Sequence, residues 1–128
     1  MFEQDYIMRL IHEMVRTVMK LLFGLDEDGE EEVRLLDTLT EDDRGRLLEL
    51  TNLADSGKIN QAENKLCDVL NRDDTVTLKL ALLFYNHINQ YDGDFLDRAD
   101  YSREEIRDGI CNVLEQFGYG GMTGLFMR

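Results

Sequence analysis

Few residues in this chain are of a type and spacing that could do chemistry. Two histidines, His12 and His87, carry the side chains whose ordinary titration lies near neutral pH. His12 stands beside Glu13 and Arg16 on what reads as the polar edge of a helix, which predicts an exposed surface residue. His87 is flanked by Asn86 and Asn89 and precedes Ile88, which predicts a hydrogen-bonded boundary residue. The alternative makes His87 one wall of a pocket whose polar groups come from Tyr85, Tyr91 and nearby acids. Neither histidine has an HExxH or Cys/His partner, so no metal and no cofactor is indicated. Cys67 and Cys111 are too far apart for a metal knuckle and too few for a disulfide framework, and their apolar neighbours predict reduced, buried thiols. No Gly-x-Ser-x-Gly turn occurs, and neither cysteine has a histidine at a catalytic spacing. The glycines at 118, 120, 121 and 124 follow a helical pattern and lack a Lys-Ser/Thr ending, which excludes a phosphate loop. With 27 acids in 128 residues, adjacent carboxylates arise by chance and identify no acid/base pair. The densest run, DEDGEEE at 26–32, misplaces its glycine for an EF-hand and puts Asp37 where the loop's closing glutamate belongs. It reads as a solvated loop or an acid-rich helix start, with weak, unspecific cation binding as the alternative.

Charge narrows the partners. A formal net charge of −13 repels phosphate backbones and anionic lipid surfaces, so direct nucleic-acid or membrane-surface binding is not expected. An acidic surface could instead mimic nucleic acid toward a basic protein, and its plainest use is solubility. The start, Met1-Phe2-Glu3-Gln4-Asp5, has no basic n-region, and Arg9, Glu13, Arg16 and Lys20 interrupt the apolar run that follows. The expectation is a cytoplasmic protein, complete at its start, with no membrane span.

The elements that would position any site read as helices. The longest is 2–23, where Ile7, Ile11, Met14, Val18 and Leu21 form a stripe widened by Met8, Leu10, Val15, Met19 and Leu22. So wide a stripe needs at least two other segments to cover it. Gly24 is its expected stop, with Leu25 folding back on the last turn. Val33, Leu35, Leu36 and Leu39 mark a short second helix. Thr40 caps a third, ahead of Glu41, Asp42 and Asp43, with Leu47, Leu50, Leu53 and Ala54 inward, Leu48 close by and Gly57 as stop. A fourth begins near Lys58, with Asn60 and Glu63 at capping-box spacing and Ile59, Ala62, Leu66, Val69 and Leu70 inward. Asp73 or Asp74 caps a fifth, apolar on nearly every side from Leu78 to Tyr85 and therefore central. Phe95 and Leu96 read as loop anchors, and Ser102 and Glu105 form a capping box that opens a last helix with Ile106, Ile110, Val113, Leu114 and Phe117 inward. The fold class is therefore all-α: a single-domain bundle of five or six helices spanning 1–117, followed by a Gly-rich apolar tail at 118–128. That tail, GYGGMTGLFMR, has too much glycine for a stable helix, and packs on its own domain or on a partner.

Two resemblances bear on this outline. The pair running from Leu50 to Leu70, with Leu53 before the turn, Gly57 in it, then Ala62 and Leu66, resembles a tetratricopeptide-like helical hairpin, without the repeat that a solenoid needs. The opening MFEQDYIMRLIHEMVRTVMKLLFGL, the middle KLALLFYNHIN and the capped SREEIRDGI resemble a small uncharacterised family of bacterial all-helical proteins over the full length. That resemblance implies an all-helical, bacterial cytosolic protein and no particular activity, cofactor or catalytic residue.

The expectation for function is a non-enzymatic helical module that binds a protein or itself. Catalysis is left undecided, with the balance against it. The expected interaction surface comprises Met8, Met14 and Met19 on the first helix and Leu125, Phe126 and Met127 in the tail. The rival is a small-molecule site or enzyme pocket at Tyr85, His87 and Tyr91, and the third reading is the nucleic-acid mimic.

Overall fold

The computed structural model describes residues 2–24, 31–71 and 73–125, excepting the side chains of 2–4, 31, 32 and 125. The acidic stretch at 26–30, Leu25, Phe126 and Met127, together with the Leu125 side chain, lie outside the described residues. The described chain is all-helical. Seven α-helices occur in it: α1 (Phe2–Phe23), α2 (Glu31–Asp37), α3 (Glu41–Asp55), α4 (Ile59–Val69), α5 (Thr75–Ile88), α6 (Gly93–Arg98) and α7 (Arg103–Gln116). A 3-10 helix, Gly120–Leu125, follows. The expected five or six helices become seven because Phe95 and Leu96, read as loop anchors, sit on the short α6, which the Asp92 carboxylate caps by accepting from the Phe95 amide at 2.7 Å. The glycines of the tail do not prevent a helix there, since Gly120–Leu125 forms a short 3-10 segment.

Side-chain chemistry fixes most helix starts. Thr40 Oγ1 accepts from the Asp43 amide at 3.2 Å, Asp74 Oδ1 from the Val76 amide at 2.9 Å, and Ser102 with Glu105 closes a reciprocal capping box. Helix ends are equally specific. Gly57 and Gly118, at φ +90 and +87, allow Lys58 N–H and Tyr119 N–H to reach back to Leu53 O and Leu114 O, the pattern of a Schellman ending. Asp100 does the same at φ +56, and so aims Tyr101 back across α6.

α5 is the centre, with ten of its fourteen residues buried, and α1, α3, α4 and α7 all pack on it. α1 lies against α2, α5 and α7, so three elements cover its stripe. That stripe is rotated from the expected one. Ile11, Met14, Val15, Val18 and Met19 are buried, whereas Leu21 is 64% exposed because it lies roughly a quarter-turn from the stripe's centre, at about 3.6 residues per turn. α4 starts without a side-chain cap at Lys58, since Asn60 already lies inside the helix and gives its amide to Asp100 O at 3.3 Å. Lys79 ties α5 to two neighbours, standing 5.3 Å over the Phe23 ring and donating to Thr38 Oγ1 at 3.1 Å.

Arg103 is the most consequential polar group in the interior. Its side chain is 4% exposed, and it donates to Asn89 O at 2.7 Å, to Asn89 Oδ1 at 3.1 Å and to Tyr91 O. A guanidinium at the carboxyl end of α5 meets the carbonyls that the helix leaves without intrahelical donors. Asn89 Nδ2 in turn donates to Met8 O at 3.0 Å, so α7, α5 and α1 are joined through one buried network.

Candidate functional site

Between α2, α3 and α5 the surface opens into a groove of about 530 Å³. Its floor is Leu36, Leu47 and Leu83, while Val33 and Leu48, each 59% exposed, stand on its sides. The geometry has local causes. α2 is only seven residues long, and three residues, 38–40, lead directly into the Thr40-capped α3. Leu48 falls on the outer side of the α3 stripe made by Leu47, Leu50, Thr51 and Ala54. The expectation that Leu48 would lie close to the inward face is corrected accordingly.

Polar groups at the groove are partly engaged. Arg44 Nε donates to Leu36 O at 3.1 Å and its guanidinium stands 3.9 Å from Asp37. Thr51 turns its hydroxyl inward to Leu48 O, 3.1 Å away, and offers the groove no free donor. His87 lines the far end, its Nε2 donating to Asp55 Oδ1 at 2.8 Å. Tyr91 donates its hydroxyl to the same oxygen, and its ring stands edge-on to His87 with centroids 5.6 Å apart. Burial alone raises the Asp55 carboxyl, but the Tyr91 and His87 hydrogen bonds and the imidazolium charge together hold it below its ordinary value. Tyr91 is pushed the other way, by burial first and then by donating to the Asp55 carboxylate.

Of the residues singled out by sequence, His87 and Tyr91 are brought together and Tyr85 is not. Tyr85 points to the opposite side of α5, where it and Tyr101 both donate to Glu63 Oε2 at 2.7 Å. Burial, followed by the charge of Glu63, pushes both phenols far above the ordinary tyrosine range. Tyr85 and His87, two residues apart on α5, do not share a face, and Tyr91 lies past the end of that helix, so only His87 and Tyr91 meet. Met14 and Met19 are in the core and Met8 is half-buried, because the α1 stripe they belong to is covered by α2, α5 and α7. Met122, in the 3-10 helix packed on α7, is half-buried against the same core. His12 is exposed.

The cysteines lie away from the groove. Cys111 is buried, but Cys67 is exposed, contrary to expectation, because it stands one residue past Leu66 and so about 100° round α4 from the buried face. Burial, reinforced by Glu63 and Asp68, raises the Cys67 thiol and leaves it a poor nucleophile. Among the described residues no group of three His, Cys, Asp or Glu could hold a metal ion, and no helix is long and apolar enough to cross a membrane. No local signal points to the Asp55 link, since the partner His87 is 32 residues away. The groove has a signal in hindsight, in the paired aliphatics Leu35-Leu36 and Leu47-Leu48, of which one helix face buries only one.

No curated protein and no solved structure matches the chain. A family model does, over residues 1–118, from the foot of α1 through the end of α7 and so across every helix that builds the groove; the chain therefore belongs to that family, described as a family of unknown function (DUF6483).

Proposed function

We propose that the protein is a non-enzymatic helical interaction module whose working surface is the groove between α2, α3 and α5. The observation that carries this reading is the pair of opposed aliphatics, Val33 and Leu48, held 59% exposed over a floor of leucines. Exposed apolar surface that is contiguous, concave and rimmed by polar residues marks binding sites. The α3–α4 hairpin is consistent with the tetratricopeptide-like resemblance, a geometry used elsewhere to present helical grooves. The setting that goes with this reading is the bacterial cytosol. Size-exclusion chromatography with light scattering, and affinity capture with wild-type and Leu48→Gln protein in parallel, test it. A wild-type chain that associates or retains a partner, with loss in the variant, supports the reading. A strict monomer that retains nothing counts against it.

A second reading, a small-molecule site at the His87 end, draws support from the imidazole, carboxylate and phenol of His87, Asp55 and Tyr91 at the groove's end. Ligand-detected NMR against a fragment library distinguishes it, since hits that depend on His87 and not on Leu48 would favour the pocket.

A further inference from the structure

We propose that the groove takes one amphipathic helix of a partner that is cationic on its polar face, and that it does not take a second copy of this chain. The inference rests on the reading of the protein as an interaction module and specifies its occupant. Three observations carry it.

The first is dimension. The α3 side of the groove runs from Arg44 to Thr51, which at 1.5 Å per residue is about 10 Å, or two helical turns. A helix laid along it presents apolar residues at i, i+4 and i+7, the pattern of helix-in-groove recognition.

The second is charge. Residues 31–55, which form α2 and α3, carry eight acids and three arginines. Of the basic side chains lining the groove, Arg44 is already turned onto Leu36 O and Asp37, and His87 onto Asp55. Asp37 lines the groove with a side chain 75% exposed, and Asp55, 52% exposed, lies outside the lining, bonded to His87, which lines it. Asp37 can accept further hydrogen bonds from lysine or arginine, so the apolar lining has an exposed carboxylate on it and an acid-rich pair of helices around it.

The third is the cost of the alternative. A second copy would bring another net charge of −13 against the first, and self-repulsion of that size favours monomers unless a large apolar area compensates. The groove is lined by nine residues, few beside the roughly 20–30 that each side of a stable interface contributes.

The test uses the full chain and two fluorescent helical peptides with the same leucines at i, i+4 and i+7, one with lysine and one with glutamate at the remaining positions. The lysine peptide is expected to bind, to weaken about tenfold between about 50 and about 300 mM salt, and to weaken about tenfold more with Leu48→Gln. Leu21→Gln, which removes an equally exposed leucine on α1, should leave binding unchanged, and circular dichroism should show both variants folded. Equal binding of the glutamate peptide, or binding indifferent to Leu48→Gln, overturns the proposal, because attraction would then be diffuse or located elsewhere. A homodimer that Leu48→Gln dissociates also overturns it, while leaving the interaction reading intact. A monomer that binds neither peptide removes both.

Discussion

The sharpest structural consequence of the fold concerns Gly109. This residue faces α5 from the middle of α7, and a Cβ added there would stand 2.6 Å from both Cζ and the hydroxyl oxygen of Tyr85, and 2.7 Å from its Cε1. The ring cannot yield easily. Tyr85 is buried, makes an edge contact with Phe84 at 5.3 Å between centroids, and is anchored through its hydroxyl to Glu63. Overpacking of a filled core costs about 1–3 kcal/mol, and displacing the tyrosine strains or breaks a hydrogen bond to a charged acceptor worth about 1.5–3 kcal/mol. Against this, Gly→Ala in a helix interior gains about 1 kcal/mol. The clash wins, and Gly109→Ala should destabilise by about 2 kcal/mol, lowering Tm by about 7 °C in a chain of this length. Urea denaturation read at an unchanged m-value measures it. Tyr85→Phe should not rescue the variant, because Cζ and Cε1 remain in place, whereas Tyr85→Leu, destabilising alone, should couple favourably with it by about 1 kcal/mol. A Gly109→Ala protein as stable as wild type, or more stable, would refute the close contact between α5 and α7 on which this reasoning rests.

Three further outcomes are expected. Arg103→Lys should lower stability by about 2–4 kcal/mol in urea titrations, since one ammonium cannot reach Asn89 O, Asn89 Oδ1 and Tyr91 O together; a loss under about 0.5 kcal/mol would show the network to be dispensable. Asp55 is held below its ordinary value of 3.8, so its contribution to stability is present above that pH and disappears as pH falls through its lower folded value. Wild type should therefore exceed Asp55→Asn in urea midpoint at pH 7, with the gap closing below about pH 4, and a gap independent of pH would contradict the His87–Asp55–Tyr91 geometry. Thiol labelling of the native chain should modify Cys67 slowly and Cys111 only on unfolding, because Cys111 is buried and both thiols are raised by burial; equal rates would argue against the placement of α7.

Local signals were legible in the sequence and long-range ones were not. Thr40, Asp74 and Ser102 cap helices because each interaction closes within three residues, so type and spacing suffice. The run from Leu78 to Tyr85 announced a central helix because no face of it was polar. Asn60 and Glu63 had capping-box spacing and form none, since Glu63 is claimed by Tyr85 and Tyr101, 22 and 38 residues away. The trio Tyr85, His87 and Tyr91 failed for a related reason. Proximity along a helix does not imply a common face, and the partner that unites His87 with Tyr91 is Asp55 on another helix. Nothing local marks Arg103, in the first turn of α7, as buried, and only the meeting of α7 with the end of α5 makes it a clamp. The methionines of α1 illustrate the limit of amphipathic patterns. Periodicity marked the stripe, but whether other helices cover it depends on α2, α5 and α7, and they do.

We propose the groove between α2, α3 and α5 as the surface on which the protein acts. The most direct measurement is an amide NMR map of the isotope-labelled chain titrated with the lysine-bearing helical peptide. Shifts should concentrate at Val33, Leu36, Leu48, Thr51 and His87 and saturate together. Shifts centred on the outer face of α1 around Leu21, or spread evenly over the acidic surface, would contradict it.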